Sequence, residues 1–204
     1  MNAITDILNR GARRVPTWAL YIAGAIPLIW IVGQLFTGGL GVDPVKAMEQ
    51  QVGRTGLKFL VVGLAITPLR SFAGINLIRF RRALGLLGFF YILAHLLIWL
   101  LLDIQLLWGQ IGADIVKRPY ITIGMAAFTM LLPLAITSNN FSLRRMGAAA
   151  WRQLHKLTYF AVVAGGVHYV MVVKGWQLQP FVYLAIILAL LALRLKWPRR
   201  RILA

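Results

Sequence analysis

Six apolar stretches divide the chain, at residues 17–36, 56–69, 83–102, 120–136, 157–173 and 180–195, with short polar segments between them. A helix needs roughly 20 mainly apolar residues to cross a bilayer. Lipid offers no partner to an unpaired backbone group, so runs of this length predict spanning helices rather than barrel strands. The second run is short and contains Lys58, so its helix is expected to start earlier, with the lysine snorkelling to the surface. Pro27, Pro68 and Pro133 are expected to kink or end their helices. Between the first two runs, Gly38, Gly39 and Gly41 open a loop that reaches Gly53. Within it, Asp43-Pro44 is placed to start a short surface helix, either an interfacial connector or a docking surface for a periplasmic partner. The pattern predicts an all-α polytopic membrane protein, a six-transmembrane-helix bundle forming one domain over residues 1–204.

Composition supports this reading. Of the 204 residues 60% are hydrophobic, and the mean hydropathy is +0.76. No G-x-G-x-x-G follows a strand pattern, so a nucleotide-binding domain is not expected. The formal charge of +17 does not indicate nucleic acid, because the basic residues sit at the ends of apolar runs, where they set topology. With the N-terminus in the cytoplasm, sixteen of the 22 Lys and Arg fall on inner segments. These are Arg10, Arg13, Arg14, Arg70, Arg79, Arg81, Arg82, Arg144, Arg145, Arg152, Lys156, Arg194, Lys196, Arg199, Arg200 and Arg201. Lys46, Arg54, Lys58, Lys117, Arg118 and Lys174 fall outside, with four of the five acids, Asp43, Glu49, Asp103 and Asp114. Both termini are therefore expected in the cytoplasm. Trp18, Trp30, Trp108, Trp176 and Trp197 lie near run ends, as interfacial aromatics do. Arg10, Arg13 and Arg14 precede the first run without an A-x-A-like cleavage site, so that run is expected to be retained. The absence of cysteine excludes thiolate catalysis, disulfide exchange and iron–sulfur ligation.

The candidate chemistry rests on three histidines. His95 lies within the third apolar run, and His155 and His168 bracket the fifth. An imidazole is costly in hydrocarbon unless something binds it, and haem iron is a ligand partner suited to a neutral imidazole there. The third and fifth runs cross in the same direction, and both His95 and His168 fall about 17–18 Å from the inner boundary at 1.5 Å per residue. Two imidazoles at equal depth can clamp one haem between helices. Gly85 and Gly88 precede His95, and Gly165 precedes His168; they either make room for a flat macrocycle or serve small-residue helix packing. His155 lies about 20 Å lower. The position facing it at that depth is Arg81, with Arg82 beside it. A guanidinium stays protonated and is a poor iron ligand, but it pairs well with propionate or phosphate. This gives an inner site with one metal-capable group and an anion-binding pair. The alternatives are that His155 is an ordinary interfacial residue, and that His95 and His168 are polar groups hydrogen-bonded to neighbouring helices.

Thr67-Pro68-Leu69-Arg70, Arg81-Arg82-Ala83-Leu84-Gly85-Leu86, Tyr91, His95, the run from Trp151 to Tyr159 (Trp-Arg-Gln-Leu-His-Lys-Leu-Thr-Tyr) and His168 together resemble the haem-binding membrane subunits of bacterial periplasmic methionine sulfoxide reductase systems. Those subunits belong to the wider ferric-reductase-like transmembrane family, which includes NADPH oxidases. The resemblance covers almost the whole chain. It implies a b-type cytochrome of the bacterial inner membrane, with one haem b or two, and an association with FMN. Electrons would arrive from a cytoplasmic flavin reductase or the quinone pool. They would leave to a periplasmic molybdopterin enzyme that reduces methionine sulfoxide in damaged proteins. His95, His155 and His168 match the family's haem histidines. Arg81 stands where NADPH oxidases carry a fourth histidine, a departure that sets the inner site apart; Arg81, Arg82 and His155 would instead hold a flavin phosphate. The chain is then an electron-transfer subunit of an oxidoreductase system. Competing readings are a quinol-oxidising or ferric-reducing cytochrome b and a histidine-relay proton transporter, the latter weakened because no acid lies mid-span.

Overall fold

The computed structural model describes residues 3–173 and 175–195. Lys174, Lys196, Trp197 and Arg199, Arg200 and Arg201, used above for topology, lie outside the described residues. Among the described residues the regular structure is entirely helical. The helices are α1 (Ala3–Arg14), α2 (Thr17–Thr37), α3 (Pro44–Ala73), α4 (Arg81–Ile98), α5 (Trp108–Lys117), α6 (Pro119–Ile136), α7 (Asn140–Leu154), α8 (Leu157–Val172) and α9 (Leu178–Leu195). A 3₁₀ turn, Ile78–Phe80, leads into α4, and a π turn, Trp99–Asp103, ends it. Four helices, α2, α3, α4 with its flanking turns, and α6, are long and apolar enough to cross a membrane; α8 and α9 are shorter apolar helices.

The second span departs most from the expected bounds. Instead of a surface helix, a loop and then a span, one 30-residue helix runs from Pro44. Asp43 caps it by accepting from the Lys46 backbone N–H at 3.1 Å, with Pro44 at the first position, where its missing N–H costs nothing. Met48, Val52, Gly56, Leu60 and Leu64 are buried along it, each four residues from the next. That spacing makes a single stripe, which packs on α4. Lys46, Gln50, Arg54 and Lys58 interrupt the hydropathy of the segment without interrupting the stripe.

None of the three prolines ends its helix; each stays inside it. Neighbouring groups can take up a backbone carbonyl that a proline frees in a membrane helix. Three segments expected as loops are helices. α1 and α7 have no buried residue, and α5 buries only Ile111 and Asp114. Asn9 of α1 donates to the Gly74 carbonyl and accepts from the Asn76 N–H, which fastens α1 to the turn between α3 and α4.

The core lies where α3, α6, α8 and α9 meet: Leu57, Leu60, Leu64, Leu131, Leu134, Ala161, Val162 and Ile187 pack together with Phe89 of α4. Large apolar side chains also point outward, among them Ile29, Trp30 and Phe36 of α2 at 67–83% exposure. In water such a surface would drive association, whereas lipid tails solvate it. α4 packs chiefly on α3, and α8 chiefly on α6. The bundle thus holds α4 and α8, which carry His95 and His168, on separate supports.

Candidate functional site

His95 on α4 and His168 on α8 face each other with ring centres 6.1 Å apart and ring planes at 76°. Both are half-buried. His95 Nδ1 lies 2.9 Å from the Glu49 carbonyl of α3, and His168 Nδ1 lies 2.7 Å from the Tyr120 carbonyl of α6. A carbonyl only accepts, so each Nδ1 carries the proton and donates. That fixes the tautomer and leaves each Nε2 with a lone pair, the arrangement found in metal-ligating histidines.

The spacing identifies what two such nitrogens could share. A ligating imidazole nitrogen sits about 2 Å from its metal, and its ring centre about 1 Å further, so two imidazoles on opposite sides of one metal have centres roughly 6 Å apart. The observed 6.1 Å fits. Among the described residues no group of three or more His, Cys, Asp or Glu converges on a metal position. Two imidazoles alone suit an iron whose remaining positions are filled by a macrocycle, as in haem.

Of the two readings open for the glycines, Gly88 takes the helix-packing one. Gly88 does not open space beside His95. A methyl built on it would lie 2.6 Å from Leu60 Cδ2 and 3.3 Å from the Gly56 carbonyl, so its role is to let α3 and α4 approach closely. Gly165 likewise faces Leu57 at 3.7 Å, an ordinary contact. The glycines that abut the histidines are Gly53 and Gly124, on neither histidine helix. Sequence reasoning missed them because it searched along the histidine's own helix.

A second cluster lies at the other end of α4. His155, in the turn between α7 and α8, places its Nε2 3.2 Å from Thr137 Oγ1 and stacks on Trp151 with ring centres 3.7 Å apart. It borders a cavity of about 580 Å³ whose wall includes Arg79, Arg81, Arg82, Arg152 and Lys156 and, among the described residues, no carboxylate. Arg81, Arg82 and His155 are therefore brought to one cavity, while Arg82 Nη1 also donates to Asn140 Oδ1 at 2.8 Å. Burial, then the charges of Arg81 and Arg82, push the His155 imidazole down to about 4, so it is neutral at physiological pH. Cations around a cavity of ligand size suit an anion in charge. Arg194 of α9 reinforces this end, donating to the Leu64 carbonyl and to Tyr159 Oη.

The two ends differ in how their cations are paired. Arg13, Arg79, Arg81, Arg82, Arg152 and Lys156 gather at the end with the inner cavity. At the other end, Lys46 bridges Glu49 at 3.0 Å and Asp103 at 3.2 Å, and Arg118 pairs with Asp114 at 3.1 Å. The Glu49 whose carbonyl holds His95 is thus itself anchored to the end of the His95 span.

Comparison with known proteins bears on the family of the chain. Residues 52–166 match the family described as ferric reductase like transmembrane component; this range includes His95 and His155 and stops just short of His168. Proteins from Brucella ovis, Brucella canis and Brucella suis, each named protein-methionine-sulfoxide reductase heme-binding subunit MsrQ, are 48% identical over 184 residues, which is 90% of this chain and 83% of theirs.

Proposed function

This chain belongs to the ferric reductase like transmembrane family, and within it to the MsrQ subunits; from that premise we propose that it is the haem-binding membrane subunit of a methionine sulfoxide reductase system. In this reading a six-span domain carries electrons from a cytoplasmic donor to a periplasmic molybdopterin reductase. The observation that carries it is the His95–His168 pair, 6.1 Å apart, with both Nδ1 protons committed to backbone carbonyls. When bound, a b-type haem supplies a reversible one-electron carrier inside the bilayer. His95 and His168 would hold it through their Nε2 atoms, and the two carbonyls would raise ligand basicity by accepting from Nδ1.

The inner cavity is proposed to receive the phosphate of FMN, with Arg81 and Arg82 as the charge partners and the neutral His155 beside them. A guanidinium fork suits a phosphate in geometry as well as charge. The positive-inside rule supports placing this end in the cytoplasm, where a flavin reductase or a quinol would supply electrons. The Asp43, Glu49, Asp103 and Asp114 end would then face the periplasm and the catalytic subunit. Both termini are proposed to be cytoplasmic, in the bacterial inner membrane.

The relay can be tested in liposomes containing the purified protein in one orientation. NADH and a flavin reductase should reduce it only from the Arg81 side. Reoxidation by the catalytic subunit with methionine sulfoxide should need the opposite side. Turnover with both partners confined to one side would refute transmembrane relay.

A further inference from the structure

The two histidine contacts share one construction. The His95 proton goes to the carbonyl of Glu49, and the residue four positions on is Gly53. The His168 proton goes to the carbonyl of Tyr120, and the residue four positions on is Gly124. In an α-helix the side chain at position i+4 leans toward the N-terminus and lies beside the carbonyl of residue i, which is why Ser and Thr bond back to that carbonyl. A carbonyl oxygen has two lone pairs. The helix uses one, and the side chain at i+4 normally shields the other.

Glycine removes the shield, and the distances show the imidazole occupying the space. A methyl on Gly53 would lie 2.9 Å from His95 Nδ1, 3.2 Å from Cγ and 3.3 Å from Cε1. A methyl on Gly124 would lie 2.8 Å from His168 Nδ1, 2.9 Å from Cε1 and 3.4 Å from Cγ. Alanine is the better helix former, so helix propensity alone does not favour glycine at either position. We infer that Gly53 and Gly124 are positioning residues: each opens a helix carbonyl to a ligand imidazole, and the pair fixes the tautomer and orientation of both axial ligands. This rests on the haem reading above.

A methyl at either position cannot coexist with the present ring placement. The ring must withdraw, lengthening or breaking the Nδ1 hydrogen bond and turning Nε2 away from its partner. Losing an outer partner of a metal ligand typically costs about ten- to a hundredfold in affinity.

The test uses Gly53→Ala and Gly124→Ala, with Gly24→Ala as a packing control. A methyl on Gly24 would lie 2.6 Å from Leu87 Cδ1, between α2 and α4, and touches neither histidine. Haem is titrated into each purified protein, and the ferric low-spin electron paramagnetic resonance signal is recorded. Both seat variants should bind haem about ten- to a hundredfold more weakly, with a shifted low-spin signal and midpoint potential. Gly24→Ala should lose stability while keeping the wild-type signal. Because the seats lie on separate helices, a folding failure in one variant leaves the other to decide. Wild-type affinity, signal and potential in a folded seat variant would overturn the inference alone. Wild-type protein that takes no haem would overturn the haem reading, and this inference with it.

Discussion

Alanine in place of His168 should remove the haem held between α4 and α8, and alanine in place of His95 should do the same. If both imidazoles serve one iron, the double variant should lose no more haem than either single variant. That non-additivity is expected when residues act as a unit. The structure supports a shared metal because the rings stand 6.1 Å apart and each leaves Nε2 unprotonated. The remaining imidazole would stay hydrogen-bonded to its carbonyl, so the fold should persist while binding falls well beyond tenfold. Haem per chain after purification measures the effect. Additive losses, or one variant with full haem and an unchanged spectrum, would mean that the two histidines serve different groups.

Arg81→His should have a large effect in the opposite direction. Arg81 and His155 line the same cavity, and Gly85, also on its wall, has nothing within 4 Å of where a methyl would stand. The protonated guanidinium makes this pair unsuitable for iron. A histidine there would give two imidazoles facing an open space, provided that His155 gives up its contact with Thr137 Oγ1. The expected result is a second haem, doubling haem per chain. Weaker binding of phosphate-bearing flavin should accompany it, because a cation paired with phosphate has been removed. Unchanged haem stoichiometry together with unchanged flavin affinity would remove Arg81 from the inner site.

Much of this arrangement can be read along the chain because bilayers impose strong patterns. The apolar runs at 17–36, 120–136 and 157–173 match α2, α6 and α8 to within a residue at each end. His95 and His168 could be paired by arithmetic alone, since equal depth on parallel spans follows from the rise of a helix. α3 was harder. Its first turns are polar on one face, and a hydropathy window averages over faces, so the buried stripe from Met48 to Leu64 was hidden although its four-residue spacing is present in the sequence. α1 and α7 were missed for a related reason. Neither has a fully buried residue, so no strong core-facing stripe marks them in the sequence.

The glycines mark the limit of reasoning along one helix. Gly88 sits two turns before His95, a place open along one helix to either a macrocycle or a packed neighbour, and its open side faces Leu60. Gly53 and Gly124 lie far from the histidines they seat, 42 positions from His95 and 44 from His168. Nothing local in the sequence joins them; only the pairing of α3 with α4 and of α6 with α8 does. Arg194 is similar, because its reach to Leu64 and Tyr159 depends on where α9 packs.

The most direct test of the central claim is electron paramagnetic resonance of the purified ferric protein, expressed with ample haem. The account predicts a low-spin signal typical of two imidazoles on one iron, present in the wild type and absent from both His95→Ala and His168→Ala. A correctly folded protein that is colourless, or one whose low-spin signal survives in either variant, would contradict it.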